Sequence, residues 1–230
     1  KQIFSAAWSP DETMVLTGSE DGSAMIWDAT TGKALRMLRG HGNGVLQAIW
    51  SRDGSRVLSA SMDDTARVWD AKTGKQLLKL DAHTSDVTQA FWNHDESAIF
   101  TVSDDGTVKV WDAQRGEVQL TLTGHTDVIH TLYLNGTETR LLTASQDGTA
   151  RVWDLQSGQV LLTLTQSGPM TDARWNAAED RILTASADQT AKVWDAQRGQ
   201  EGATISTYGQ VVSLVQWNGD NSRLLTASDD

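Results

Sequence analysis

The chain has 230 residues, a formal net charge of −11 and no cysteine. The missing cysteines exclude disulfides and thiolate metal sites, and the acidic balance argues against a nucleic-acid backbone or an anionic membrane as the main partner. No apolar run approaches membrane-spanning length, and we expect a cytoplasmic protein.

The predicted elements recur along the chain, and the second repeat shows them most clearly. Its four strands are expected at Val45–Trp50, Arg56–Ser61, Thr65–Asp70 and Lys75–Leu80, separated by turns rich in Asp, Gly and Thr. Gly and Asp tolerate the positive φ of tight turns, so this pattern predicts antiparallel hairpins. The outer strand of the fifth repeat, Gln200 to Ser206, is weakly apolar, and we expect the last repeats to be the least stable.

Two tryptophan series set the period of the repeats. The Trp-Asp pairs that close the third strands begin at Trp27, Trp69, Trp111, Trp153 and Trp194. In a second series, the last residue of each first strand is a tryptophan, at Trp8, Trp50, Trp92, Trp175 and Trp217. Leu134 takes this position in the remaining repeat. Four strands in each period of about 40–45 residues are typical of propeller blades.

The sequence therefore predicts an all-β fold, a β-propeller of four-stranded antiparallel blades that form a single domain over residues 1–230. Five complete blades and half of a sixth are expected, at about residues 1–39, 40–81, 82–123, 124–165, 166–207 and 208–230. We expect this chain to be part of a larger closed propeller. If it really ends at Asp230, its open face and unpaired edges should promote self-association.

These motifs resemble the WD-repeat β-propellers over the whole chain. The Gly-His pair of that family stands at Gly40-His41 and Gly124-His125, with Ala82-His83 as a variant, and the Trp-Asp pair occurs five times. The repeats look most like bacterial members, which are often appended to signalling or defence enzymes.

The resemblance implies a hydrogen-bonded tetrad inside a blade, made of a His, a Ser or Thr, an Asp and a Trp. Two hydroxyls remain open in each blade, for example Ser59 or Ser61, and we take the later one as the candidate. The implied tetrads are His41, Ser61, Asp63 and Trp69; His83, Ser103, Asp105 and Trp111; and His125, Ser145, Asp147 and Trp153, the earlier hydroxyls being Ser59, Thr101 and Thr143.

A Ser, a His and an Asp in one cluster also suggest a nucleophile with its base. A catalytic site is built once, however, whereas this cluster recurs at the blade period, so a structural network is the better interpretation and no enzyme activity is expected. The acidic turns, such as Asp104-Asp105-Gly106, lack the spacing of a calcium loop. We expect neither a metal nor a cofactor.

The fifth repeat has Gln166-Ser167-Gly168-Pro169 in place of Gly-His, and the sixth has Thr207-Tyr208-Gly209. These blades must satisfy Asp188 and its equivalents without an imidazole, by water or another donor.

The resemblance also places the binding surface at the loops before the innermost strands and at the turns between second and third strands. Candidate residues there are Met62, Asp104, Gln146, Leu46, Thr88, His130, Asp86 and Asp127. Further residues of the same slots are Glu20, Ala187, Asp229 and Asn43. Because this surface is partly acidic, it predicts a protein or peptide partner that brings Lys or Arg, with apolar contacts near Met62 and Leu46.

We therefore expect a non-catalytic platform for protein–protein interaction. Two alternatives remain open: a sensor or autoinhibitory module of a larger signalling or defence enzyme, and a truncated or engineered repeat protein without a ligand.

Overall fold

A computed structural model describes residues 1–206, 210–220 and 222–228. Within these residues every regular element is a β-strand, and the strands form five four-stranded antiparallel sheets and one two-stranded sheet. The predicted all-β class and the four-stranded blades are confirmed. The chain divides into two compact units, Lys1–Thr121 and Leu122–Asp230, which are described separately.

The first unit contains three blades, each with its strands in chain order across the sheet. Blade 1 consists of β1 (Ile3–Trp8), β2 (Met14–Ser19), β3 (Ser23–Asp28) and β4 (Ala34–Arg39). Blade 2 consists of β5 (Val45–Trp50), β6 (Arg56–Ser61), β7 (Ala66–Asp70) and β8 (Gln76–Leu80). Blade 3 consists of β9 (Val87–Trp92), β10 (Ala98–Ser103), β11 (Val108–Asp112) and β12 (Val118–Leu122), whose last residue opens the second unit.

The second unit repeats this plan twice and adds one hairpin. Blade 4 consists of β13 (Ile129–Leu134), β14 (Arg140–Ser145), β15 (Thr149–Asp154) and β16 (Val160–Thr165). Blade 5 consists of β17 (Met170–Trp175), β18 (Arg181–Ser186), β19 (Thr190–Asp195) and β20 (Glu201–Ser206). The two-stranded sheet consists of β21 (Val212–Trp217) and β22 (Leu224–Ser228).

Inside each unit, the hydrophobic core lies between the faces of neighbouring blades. In the first unit, one buried cluster joins Leu16 and Leu38 of blade 1 to Val57 of blade 2, and another joins Leu58 of blade 2 to Ile99 of blade 3. In the second unit, equivalent clusters join blade 4 to blade 5 and blade 5 to the two-stranded sheet. Each blade therefore buries its apolar face only by stacking on a neighbour.

The innermost strand of every sheet carries a β-bulge at its second residue. In blade 4, Ile129 pairs with Ser145 and Thr131 with Ala144, so the register shifts at His130, which is the extra residue of the bulge. The same shift in register occurs in the other five sheets. A bulge re-aims the side chain of its extra residue. The bulged residues are Phe4, Leu46, Thr88, His130, Thr171 and Ser213.

Candidate functional site

Blade 4 contains a chain of hydrogen bonds between four side chains. The Trp153 indole donates to Thr143 Oγ1 at 2.8 Å, and that hydroxyl lies 2.7 Å from His125 Nε2. His125 Nδ1 lies 2.9 Å from Asp147 Oδ2. An ionised carboxylate can only accept, so Nδ1 of a neutral imidazole must donate to Asp147, and Nε2 then accepts from the hydroxyl. The hydroxyl in turn accepts from the indole N–H, which can only donate. The imidazole proton is therefore on Nδ1, where it faces the carboxylate.

Blades 2 and 3 contain the same arrangement. His41 Nδ1 lies 2.9 Å from Asp63, and His83 Nδ1 lies 2.8 Å from Asp105. Each imidazole Nε2 lies 2.7 Å from a hydroxyl that accepts from the blade's tryptophan at 2.8 Å. The hydroxyls are Ser59 in blade 2 and Thr101 in blade 3.

The choice of the later hydroxyl in each blade was wrong. Residues two apart on a strand share a face, so the spacing alone allowed either one. The later residue ends the second strand and serves the turn instead: Ser61 donates to Asn43 O at 3.1 Å and accepts from Asp63 N at 3.1 Å. Ser103 and Ser145 make the equivalent bonds. The tetrad hydroxyls are Ser59, Thr101 and Thr143.

The pKa values of His83, His125 and Asp147 lie below their ordinary values. Burial lowers the pKa of His83 and of His125, against the attraction of Asp105 and Asp147. Burial opposes ionisation of Asp147, but hydrogen bonds from Thr149, His125 and Thr126 N together lower its pKa to about 2. A neutral imidazole thus donates to an ionised carboxylate.

In blade 5 an amide takes the place of the imidazole. Gln166 Oε1 accepts from Thr184 Oγ1 at 2.5 Å, and the same hydroxyl accepts from the Trp194 indole at 2.8 Å. Gln166 Nε2 donates to Thr190 Oγ1 at 2.8 Å and lies 3.4 Å from Asp188 Oδ1. A glutamine offers one acceptor and one donor in the same order as an imidazole protonated on Nδ1. The donor expected for Asp188 is therefore this amide. The corresponding segment of the sixth repeat, residues 207–209, lies outside the described residues.

An apolar group lies among the upper loops of the first unit, which are the loops before the innermost strands and the turns between second and third strands. A Cβ atom on Gly44 would lie 3.2 Å from the Phe4 ring and 3.4 Å from Met62 Sδ, so both side chains approach this glycine closely. Leu46 is the bulged residue of the same blade and is half-buried. Phe4, Met62 and Leu46 are all half-buried.

Three carboxylates of the first unit lie within electrostatic reach of one another at the same loops. Asp104 N donates to Asp86 O at 3.0 Å, which brings the turn of blade 3 against the loop before its innermost strand. Burial, together with the charges of Asp104 and Asp64, raises the pKa of Asp86. Thr88, the bulged residue of blade 3, is half-buried, and its hydroxyl lies 3.4 Å from Val102 O. The like charges of Asp104 and Asp64 therefore oppose ionisation of Asp86.

Of the candidate binding residues in the second unit, the structure brings His130 and Gln146 into contact. His130 Nε2 lies 2.8 Å from Gln146 Oε1, which joins the bulged residue of blade 4 to its turn. Asp127 is exposed, and its carboxylate accepts from Val128 N at 2.8 Å. Ala187 is half-buried in the equivalent turn of blade 5, and Asp229 lies outside the described residues.

Sequence reasoning missed the side chains that tie neighbouring blades together. Glu96, in the turn after β9, accepts from Arg52 N and from the Arg56 guanidinium at 2.9 Å. Glu179 occupies the same turn of blade 5 and accepts from Gly136 N and from Asn135 Nδ2 at 3.0 Å. Both glutamates have positive φ, at 58° and 55°. A glutamate that recurs at one turn position was the available signal.

A second kind of tie joins the innermost strands of neighbouring blades. Ala48 N donates to Ser5 Oγ at 3.1 Å, and Ala90 N donates to Gln47 Oε1 at 2.7 Å. In the second unit, Asp172 accepts from Arg174 Nε at 3.0 Å and lies 3.3 Å from Val215 N. The accepting residues Ser5, Gln47 and Asp172 each come directly after the bulged residue of their strand.

Within the described part of the chain, no group of three or more His, Cys, Asp or Glu side chains could hold a metal ion. No helix of those residues is long and apolar enough to span a membrane.

The comparison with known families agrees with this geometry. The family model described as "WD domain, G-beta repeat" matches residues 1–28, 32–70, 74–112, 116–154 and 158–195. The chain therefore belongs to the WD-repeat family, whose domains are generally non-catalytic scaffolds that bind proteins or peptides. The curated "Protein tipD" of Dictyostelium discoideum is 52% identical over 40 residues, which are 17% of this chain and 6% of that protein.

Proposed function

We propose that this chain is a non-catalytic interaction scaffold, and that its upper loops bind a protein or peptide carrying Lys or Arg. The observation that carries the proposal is the group Asp64, Asp86 and Asp104 in the first unit, in which Asp104 N donates to Asp86 O at 3.0 Å. Burial, and after it the charges of Asp104 and Asp64, raise the pKa of Asp86. A guanidinium or ammonium group would relieve this repulsion on binding. The apolar residues Phe4 and Met62 would take a neighbouring aliphatic or aromatic side chain.

The geometry of the tetrads supports a role without catalysis. Thr101 and Thr143 are fully buried, and each hydroxyl already accepts from an indole and faces an imidazole. A nucleophilic hydroxyl must reach its substrate, and these cannot do so in the folded blade. The net charge of −11 supports a protein partner over a nucleic acid or an anionic membrane.

Charge reversal tests the proposal. A fluorescein-labelled peptide with two arginines on each side of a leucine should bind the wild-type protein in a fluorescence anisotropy titration. The double variant Asp86→Lys, Asp104→Lys should weaken that binding at least about tenfold, which corresponds to about 1.4 kcal/mol. Neither carboxylate is a tetrad member, so the blades should stay folded, as near-UV circular dichroism would verify.

Glu117→Lys is the matched control because Glu117 is exposed and lies in the turn before β12. This variant changes the net charge in the same direction by half as much as the double variant, and it should leave the affinity within about twofold. Equal losses in both variants would indicate a general charge effect and would contradict the assignment of the surface.

A further inference from the structure

Arg36 of β4 breaks the repeat pattern on the outer strands. At the corresponding position, blades 2, 3 and 4 have Leu78, Leu120 and Leu162. Two of these leucines pack on the glycine of the next blade's turn: Cβ atoms on Gly116 and Gly199 would lie 3.4 Å from Leu78 Cδ2 and 3.4 Å from Leu162 Cδ2.

The junction between blades 1 and 2 differs from the junctions between blades 2 and 3 and between blades 4 and 5. Gly74 is the equivalent glycine, and its nearest side chain is that of Leu38, at 3.6 Å from the position of a Cβ atom. Arg36 instead extends across the junction, and its Nε donates to Lys72 O at 2.7 Å. Where a leucine would fill the space between two blades, blade 1 therefore presents an extended cation.

A cavity of about 510 Å³ lies at this place, between the outer half of blade 1 and the turns of blade 2. Its apolar lining comes from Met14, Ile26, Leu35 and Ala71. Met14 also departs from the pattern, because the same slot holds Arg56, Ala98, Arg140 and Arg181 in the later blades. In blades 2 and 4 the slot of Met14 holds an arginine and the slot of Arg36 holds a leucine, so blade 1 has the apolar and the cationic residue in the reverse positions. This reversal leaves an apolar groove beneath a basic edge.

The alanine that follows Trp-Asp also shows that the junction between blades 1 and 2 is less well covered than the other two junctions. Ala113 and Ala196, which follow Trp-Asp in blades 3 and 5, are 2% and 1% exposed and belong to the same clusters as Leu78 and Leu162. Ala71 is the equivalent residue of blade 2, and it is only partly buried. The groove therefore exposes apolar surface that the other two junctions cover.

The charges at the mouth of the groove define what could occupy it. Arg36 and Lys72 line it, and Lys33 and Lys75 are exposed in the two adjoining turns. The one carboxylate in the lining, Asp70, accepts from Thr73 N and Thr73 Oγ1, both at 2.7 Å. Hydrogen bonds from Thr73 lower the pKa of Asp70, so this carboxylate is ionised but committed to its own turn. In a chain of net charge −11, this is a local basic surface.

We propose that the groove between blades 1 and 2 binds a short acidic peptide segment of a partner protein, with one large apolar side chain inserted against Met14, Ile26 and Ala71. Carboxylates flanking that side chain pair with Arg36 and Lys72. The volume falls within the range of about 300–1,000 Å³ that is typical of ligand pockets. This site is separate from the upper loops and requires a partner of opposite charge.

The test uses the whole chain and a defined probe, the fluorescein-labelled peptide Glu-Asp-Val-Leu-Val-Asp-Glu, in an anisotropy titration. We expect saturable binding that weakens as salt is raised, and at least about tenfold weaker binding when the central Leu of the probe is replaced by Ala. Arg36→Leu restores the residue of the later blades, fills the groove and removes a cation, so it should reduce the affinity at least about tenfold while retaining the melting temperature.

Met14→Arg is the second variant, because it restores the residue of blades 2 and 4 on the floor of the groove without removing a cation. It should weaken binding of the Leu probe, whereas the acidic Ala probe should bind no more weakly than it binds the wild type. The double variant Asp86→Lys, Asp104→Lys should bind the acidic probe as the wild type does, so the two proposed sites can fail independently. Equal affinity of the wild type and Arg36→Leu, or equal binding of the Leu and Ala probes, would overturn the proposal.

Discussion

His125 and Gln166 occupy the same position of the repeat and make the same pattern of hydrogen bonds. We therefore expect His125→Gln to preserve the tetrad of blade 4, because the amide can accept from Thr143 and donate to Asp147. His125→Ala leaves the hydroxyl and the carboxylate without that partner and should destabilise the protein by about 1–3 kcal/mol. Urea unfolding, monitored by tryptophan fluorescence, measures the free energy of unfolding of both variants.

The control for these substitutions is His94→Ala, since His94 is exposed in a turn, belongs to no tetrad and lies 3.0 Å from the guanidinium of Arg52, which is exposed as well. Its free energy of unfolding should change by less than about 0.5 kcal/mol. If His125→Gln proved as destabilising as His125→Ala, the equivalence of amide and imidazole would be wrong.

The buried tetrad histidines His83 and His125 make the stability of the fold depend on pH. Burial lowers the pKa of His83 and His125 in the folded state below the ordinary value of 6.5, so the unfolded chain binds protons more readily. Their contribution is intact above pH 6.5 and is lost progressively as the pH falls below it. We expect the melting temperature to fall between pH 7.5 and pH 5. His125→Gln should reduce that fall, and an unchanged pH dependence would contradict this account.

At the scale of single strands, β20 is the outer strand with the least burial. Five of its six residues are exposed, and only Ile205 is half-buried, whereas β16 contains the fully buried Leu164. Backbone hydrogen bonds near few buried apolar contacts open more easily. We expect amide hydrogens of β20 to exchange faster than those of β16 in hydrogen-exchange mass spectrometry. Equal protection of the two strands would argue against this difference.

The tryptophan period and the turn residues predicted the strands of blade 2 to within one residue at each end, because alternating apolar runs between Gly and Asp turns determine strands locally. The tetrad hydroxyl was not determined, because Ser59 and Ser61 point to the same face. Leu46 and His130 were predicted as candidate binding residues, but the β-bulge at both positions could not be predicted, because it depends on pairing between strands. The groove beside Arg36 also required knowledge of which blades stack on each other.

At the scale of a whole unit, stability depends on the ties between blades as well as on the blades themselves. Glu96 shows this dependence, because it connects the turn of blade 3 to Arg52 and Arg56 of blade 2, while Arg56 also lies 4.4 Å above the Trp92 ring. Glu96→Ala removes the acceptor from both donors at once. We expect a loss of about 1–3 kcal/mol and a broader urea transition, because coupling between the two blades is weakened.

Glu12 provides a matched control for that substitution. It occupies the same turn position in blade 1 and has nearly the same backbone conformation, with φ of 59° against 58° for Glu96. Alanine therefore meets the same left-handed strain at both positions, and the difference between the two variants isolates the tie between blades. Glu12→Ala should keep the slope of the wild-type transition. If the two variants unfolded alike, the loss would come from the turn itself, and Glu96 would not couple blade 3 to blade 2.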